Sequence, residues 1–152
     1  MVIVTSRLKK YSLDKSFYAA FVGKMLCELK YDDFDISVTF TTNKAIRELN
    51  KKFRKKDKPT DVLSFPHHPH LKAGQRIKVT YDDDKALGDI IISVEYTDID
   101  AKKHGVTLQQ RIELLLAHGV AHLLGHDHIE DNEYKVMRRL EERLLRAARA
   151  QH

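Results

Sequence analysis

The sequence has a single cysteine and no long apolar run, and each absence excludes a class of protein. Cys27 has no partner for an internal disulfide, which favours a reducing compartment, and we expect it to be a small buried residue on a helix. No segment approaches the ~20 apolar residues of a membrane span. The apolar part of the opening MVIVTSRLKK is too short for a secretory signal. These absences predict a cytoplasmic protein, or an organellar one in a eukaryote, without a membrane partner.

The composition indicates one folded domain over residues 1–152. Apolar residues make up 42% of the chain and charged residues 32%, a balance typical of globular rather than disordered proteins. A length of 152 residues suits one core. The formal charge is +5, and nine residues are histidine. Four of the histidines lie within residues 118–128, so this segment is the first candidate for a functional site.

Strand and helix patterns alternate along the chain. Strands are predicted from alternating or β-branched residues at 2–4, 35–41, 62–65 and 87–92, with a short one at 77–80. Helices are predicted from apolar periodicity and capping residues at 14–29, from Thr42 or Asn43 onward, at 93–104, at 107–124 and from Asp131 onward. Two helices have stripes expected to face the core: Ala45, Ile46, Leu49 and Phe53 in the second, and Tyr134, Met137, Leu140, Leu144 and Ala148 in the last. We therefore expect an α+β (or mixed α/β) domain with one mixed sheet of about four strands, the 87–92 strand central and helices packed on it.

The histidine-rich segment has the spacing of a metal site on a helix and the turn that follows it. His118 and His122 are four residues apart, so their side chains share one face of the predicted 107–124 helix. Gly125 can adopt the left-handed conformation that ends a helix, which would bring His128 beside them. Three imidazoles with an open fourth position are typical of a catalytic rather than a structural zinc site. The pattern predicts one Zn²⁺ per chain, although other divalent transition metals also suit imidazole ligands.

Two neighbours of these histidines keep alternative interpretations. His126 is a weaker ligand candidate, because adjacent residues in a turn point apart. Asp127 either orients a ligand imidazole or stabilises the turn. A metal held here would activate water for hydrolysis. Zinc peptidases of this type carry a glutamate directly after the first histidine, and Gly119 in that position argues against a peptidase.

A basic segment precedes the third strand. Six of the nine residues 50–58 are cations, namely Lys51, Lys52, Arg54, Lys55, Lys56 and Lys58. Such a density attracts phosphates and suggests RNA contacts, although a solvated helix end has the same composition. Arg54 is expected either to stabilise charge that develops on a phosphodiester oxygen or to be a surface cation.

Several other polar residues receive weaker predictions. Asp61 and Asp89 are expected to be turn residues or hydrogen-bond anchors rather than site carboxylates. The histidines of the loop before the fourth main strand are expected to line a cleft: His67, His68 and His70. Glu141 and Glu142 alternate with arginines, which predicts a solvated helix face.

Three motifs together resemble the YbeY endoribonucleases, also described as ribosomal-RNA maturation factors. They are residues 59–66 (PTDVLSFP), 87–90 (LGDI) and 118–128 (HGVAHLLGHDH), and Asn50 and Arg54 also fit. The resemblance implies a single α+β domain, a zinc ion on His118, His122 and His128, and an essential substrate or transition-state contact by Arg54. It further implies hydrolysis of single-stranded RNA in maturing the 3′ end of small-subunit ribosomal RNA and in ribosome quality control. The partners would be the RNA precursor and the small ribosomal subunit with its proteins. The alternative is a ribosome-binding assembly factor whose metal is mainly structural.

Overall fold

The structure, a computed structural model that describes residues 1–150, contains one four-stranded sheet. Its strands are β1 (Val2–Ser6), β2 (Asp35–Thr41), β3 (Val62–Pro66) and β4 (Ala86–Ser93). Their order in the sheet is β1-β2-β4-β3. The β1–β2 and β2–β4 pairs are parallel, whereas β3 pairs with β4 antiparallel. The predicted mixed sheet with a central fourth strand is therefore confirmed.

Within residues 1–150, five helices lie between and after the strands. They are α1 (Lys15–Glu28), α2 (Asn43–Arg54), α3 (Val94–Lys103), α4 (Leu108–Leu123) and α5 (Asp131–Arg149). Four of them begin at a side chain that accepts a backbone N–H of the first turn: Asp14, Thr42, Ser93 and Thr107. The two candidate starts of the second helix are thus resolved, since Thr42 is the cap and Asn43 the first helical residue. None of the helices within residues 1–150 has both the length and the apolar content of a membrane span.

The core lies between the sheet and the helices that cover it. Helix α4 packs on β3 and β4, α1 packs on β1, and α5 contacts both α1 and α4. Ile90 and Ile92 of β4 are fully buried, as an interior strand requires. Gly119 lets α4 approach the sheet closely, because a Cβ there would lie 2.8 Å from Cδ1 of Ile90. The helix face next to Gly119 therefore belongs to the core, and His118 and His122 lie at its edge.

The loop of residues 67–85 differs from its prediction. The expected strand at 77–80 is absent from the described structure, and a short 3-10 turn occurs at Asp82–Asp84 instead. Ile77 is nevertheless buried, and its N–H donates to the hydroxyl of Tyr31 at 3.0 Å. The predicted strand was wrong because this apolar residue is anchored by a side chain, with no strand partner on its backbone.

Four side chains also lie elsewhere than predicted. Cys27 is on a helix but exposed, because the buried face of α1 is formed by other residues. Phe53 and Tyr134 are exposed rather than part of the core stripes, since the buried residues of α2 end at Asn50 and those of α5 begin at Met137. Asp131 is the first residue of α5 and not its cap; the chain enters this helix through Glu130 without a side-chain cap.

Candidate metal centre

A cleft of about 880 Å³ opens where the end of α2, strand β3 and the end of α4 meet. Its walls include the following residues: Phe53, Arg54, Asp61, Phe65, Leu71, His118, His122, His126 and His128. Residues from two distant parts of the sequence, 53–71 and 118–129, therefore share one surface. The basic segment and the histidine-rich segment, separate in the chain, meet at this cleft.

The three predicted ligand histidines converge in this cleft. One imidazole nitrogen of each of His118, His122 and His128 lies within 4.8 Å of the other two, and the Nε2 atoms of His118 and His122 are 3.0 Å apart. The first two meet because they are one turn apart on α4. The third arrives because Gly125 has φ +87°, as predicted, and reverses the chain. A Cβ on Gly125 would lie only 2.3 Å from the carbonyl oxygen of Leu71, so this turn requires glycine.

A hydrogen bond orients one of the imidazole rings, and a carboxylate contact orients a second. Nδ1 of His122 lies 2.9 Å from the carbonyl oxygen of His126. Because a carbonyl only accepts, Nδ1 of His122 carries the proton and Nε2 keeps its lone pair for a metal. Nδ1 of His118 lies 3.5 Å from Oε2 of Glu141, a carboxylate on α5. Both rings thus turn Nε2 toward the centre of the cluster.

The electrostatic environment keeps His122 neutral. Burial, followed by the neighbouring His118, lowers the pKa of His122 below its ordinary value. A metal binds the neutral form of an imidazole, so the His122 ring does not have to lose a proton at physiological pH before it binds a metal ion.

The donor set fits a borderline divalent ion. Two nitrogens on one tetrahedral zinc ion are about 3.3 Å apart, so the 3.0 Å separation in the structure needs only a small side-chain adjustment. The convergent group within residues 1–150 consists of three imidazoles, without a carboxylate or thiolate. Three protein ligands leave one position of a tetrahedral ion free, which is the arrangement of catalytic sites.

The two uncertain neighbours contribute through the turn. His126 accepts the His122 hydrogen bond with its backbone carbonyl, while its own N–H donates to the carbonyl of Ala121. His126 lines the cleft but does not belong to the three-histidine group, and burial lowers the pKa of its ring. The carboxylate of Asp127 accepts the N–H of His128 at 2.7 Å. This bond favours the turn-stabilising interpretation of Asp127 over the orienting one.

The basic segment lies beside the histidines. Arg54, the last residue of α2, lines the cleft, and the five predicted lysines are exposed on the same helix end and the loop after it: Lys51, Lys52, Lys55, Lys56 and Lys58. Asn50 is buried, and its side-chain amide donates to the carbonyl of Lys58 at 2.9 Å, which closes the loop onto the helix. Asp57 pairs with Arg47 at 2.8 Å, and this contact lowers the pKa of the Asp57 carboxyl. The one acidic residue of the segment is therefore already neutralised.

The structure meets the prediction for Asp61 but not the one for Asp89. Asp61 accepts the N–H of Val62 at 2.7 Å, as expected for a turn residue, and also lines the cleft. Asp89 lies inside β4 and is exposed, so the prediction of a turn residue or a buried anchor is wrong for it.

The loop histidines were predicted to line a cleft, but they do not line this one. Nε2 of His67 and of His68 lies 3.0 and 2.8 Å from the carbonyls of Asp83 and Asp84, so these rings hold the 67–85 loop together. From this loop, Pro69 and Leu71 form part of the cleft wall.

Sequence reasoning missed Glu141. The alternation with arginines predicts a solvated helix face, yet the Glu141 side chain is only 22% exposed and contacts His118. The available signal was its position on α5, four residues after Met137 and three before Leu144, both buried. A carboxylate on a buried helix face needs a partner, and His118 is that partner.

Comparison with known proteins identifies the family. The family model described as Endoribonuclease YbeY matches residues 4–149 of the chain. The chain belongs to this family. A YbeY endoribonuclease of Sulfurihydrogenibium sp. (strain YO3AOP1) is 37% identical over 145 residues, covering 95% of this chain and 90% of that protein. The YbeY endoribonuclease of Caldicellulosiruptor bescii is 40% identical over 137 residues, covering 89% and 86%.

A solved structure supports the fold independently. The solution structure of a Thermotoga maritima protein superposes with a TM-score of 0.65 at 24% identity, covering 97% of this chain and 89% of that one. The predicted resemblance to the YbeY family is confirmed, and with it the predicted enzyme class, a nuclease, at the level of the family.

Proposed function

We propose that the protein is a zinc-dependent endoribonuclease that cleaves single-stranded RNA. One observation carries the proposal: three imidazole nitrogens converge within 4.8 Å on the wall of a cleft that Arg54 also lines. A metal-ligand set next to a cation is the combination that phosphodiester hydrolysis needs. Membership of a family named for endoribonuclease activity supports RNA as the substrate.

Each residue of the site has a role in this proposal. His118, His122 and His128 would hold the metal ion, which would supply Lewis acidity for activating water and polarising a substrate oxygen. The carbonyl of His126 and the carboxylate of Glu141 keep the first two rings aimed at the ion. Arg54 donates hydrogen bonds to the non-bridging oxygens of the scissile phosphate, where negative charge develops.

The lysines of the basic segment bind the RNA on either side of the cleavage site. Lys51, Lys52, Lys55, Lys56 and Lys58 are exposed and surround the end of α2, so they can contact phosphates on either side of the cleavage site. These contacts are independent of base sequence, so they contribute affinity for any RNA. Selection among RNAs depends on other residues.

The proposed biological substrate is the small-subunit ribosomal RNA precursor. We infer cleavage in the maturation of its 3′ end and in ribosome quality control, with the small ribosomal subunit and its proteins as partners, in the cytoplasm or an organelle. The whole of residues 1–152 would act as one endoribonuclease domain. This part of the proposal rests on the family resemblance of the three sequence motifs.

Two other functions fit the site less well. An assembly factor with a structural metal would need a fourth protein ligand to close the site, and the convergent group within residues 1–150 contains three. A peptidase would need a base beside the first histidine. Gly119 instead faces Ile90 in the core, where a longer side chain has no space.

Cleavage assays on three variants test the proposal. We expect the wild type, with its zinc quantified by elemental analysis, to cut a labelled single-stranded RNA and to trim small-subunit precursor RNA. His118→Ala should lose both metal and activity, whereas Arg54→Ala should keep the metal and lose about 10²- to 10³-fold in kcat. Arg146→Ala is the matched control, because Arg146 is an exposed arginine of α5 outside the cleft. Equal cleavage by all four proteins would contradict the assignment.

A further inference from the structure

Phe53 is an exposed aromatic residue on the wall of the proposed active-site cleft. It lies in the last turn of α2, next to Arg54, and 56% of it is exposed to solvent. Single exposed apolar residues are common on protein surfaces and need no function by themselves. The position of Phe53 is informative because of what holds the ring and what surrounds it.

The ring of Phe53 is held against the sheet. Its centroid is 5.2 Å from that of Phe65 on β3, and the two planes meet at 68°. This edge-to-face geometry is a favourable aromatic contact, which stabilises the orientation that the ring has in the structure. Since Phe65 also lines the cleft, the two rings form a continuous apolar wall beside the metal-ligand histidines.

Cations surround this apolar wall. The ammonium group of Lys52 lies over the Phe53 ring, 5.2 Å from its centroid. Arg54, the next residue in the sequence, also lines the cleft. The nearby Asp57 is paired with Arg47, so it does not cancel the charge of these cations. A ligand that suits this surface combines negative charges with flat apolar faces at short intervals.

A single-stranded nucleic acid has this combination, whereas a duplex hides its base faces in the stack. We propose that Phe53 is a stacking platform for one nucleobase of the bound strand, adjacent to the phosphate that Arg54 contacts. This inference rests on the proposed function and adds a source of single-strand selectivity to it. The lysines contact the backbone of any RNA, and Phe53 favours strands whose bases are free.

Binding of intact and abasic RNA tests the stacking contact. The RNA affinities of four proteins are compared by fluorescence anisotropy: wild type, Phe53→Leu, Phe53→Trp and Phe17→Leu. Each protein is kept metal-free with a chelator, so that it cannot cleave the RNA. Phe17 is the matched control, since it is an exposed phenylalanine of α1 outside the cleft. The probe is a labelled single-stranded RNA of about 12 nucleotides, used intact and with one abasic ribose placed at each position in turn.

We expect Phe53→Leu to bind intact RNA about 5- to 150-fold more weakly than the wild type, the usual effect of losing one base–aromatic stack. Phe53→Trp and Phe17→Leu should bind like the wild type. With the abasic ribose at the stacked position, the difference between wild type and Phe53→Leu should disappear. In the zinc-loaded enzyme, Phe53→Leu should raise KM by the same factor and leave kcat unchanged.

Three results would overturn the inference. Phe53→Leu binding intact RNA as tightly as the wild type would exclude stacking. A loss of affinity that is the same for intact RNA and for every abasic strand would mean that the change acts on the cleft and not on a base. In either case cleavage by the wild type would leave the proposed function standing, whereas a wild type that neither binds nor cleaves RNA would remove both.

Discussion

Replacing Glu141 with glutamine tests how the metal centre is supported from outside its three histidines. The substitution removes the negative charge but keeps the size of the side chain and one acceptor oxygen. In the structure Oε2 of Glu141 lies 3.5 Å from Nδ1 of His118, on the side of the ring away from the cluster. The carboxylate therefore orients the ring and makes its Nε2 a better donor to a metal.

The expected magnitude follows from this distance and from the burial of the pair. Partners that orient metal-ligating histidines contribute about 10- to 100-fold in metal affinity. The 3.5 Å contact is slightly longer than a hydrogen bond, and the two side chains are 27% and 22% exposed. We therefore expect the lower end of the range, about tenfold in Kd or about 1.4 kcal/mol.

Competition with a chromogenic chelator at neutral pH measures the zinc Kd directly. Glu142→Gln is the matched control, because Glu142 is the next residue on α5, is 57% exposed and pairs with Arg138. Glu141→Gln should bind zinc about tenfold more weakly and Glu142→Gln like the wild type. A Kd of Glu141→Gln indistinguishable from that of the wild type would refute the orienting role. Equal weakening in both variants would show an effect of net charge.

Two further predictions concern stability. Gly125→Ala should lower the free energy of unfolding by about 2–4 kcal/mol and weaken zinc binding, because φ +87° and the contact with Leu71 exclude a side chain. Gly23→Ala is the control, because a Cβ there meets no atom within 4 Å. This variant should raise the free energy of unfolding by up to about 1 kcal/mol. Urea unfolding checks both, and equal effects would contradict the argument. The lowered pKa of His122 means that the unfolded metal-free chain takes up a proton near its ordinary value of 6.5, while the native state does so only at lower pH. The free energy of unfolding of the metal-free protein should thus fall as pH drops through and below this value. His122→Gln should make this free energy less dependent on pH. An unchanged pH dependence in the variant would contradict the role of His122.

Local patterns in the sequence were sufficient for features whose parts lie within a few residues. Alternating residues predicted β2 at Asp35–Thr41, and the Thr107 capping box predicted the start of α4. The pairing of His118 with His122 follows from helix periodicity alone, and the turn at Gly125 from the absence of a side chain. These features could be predicted because strand alternation and helix periodicity act between neighbours.

Features that join distant segments were decided by the tertiary structure. Arg54 reaches the cleft because α2 ends beside β3, and Glu141 reaches His118 because α5 packs on α4. Phe53 has the spacing of a core residue but is exposed, since the buried part of α2 ends one turn earlier, at Asn50. The sequence by itself determined the four strands and five helices of the described residues, together with three metal-ligand candidates, but it also predicted a strand at 77–80 that is absent there. The packing of those elements determined what surrounds the candidates, because a periodic pattern specifies which face of a helix is apolar and not which partner will cover it.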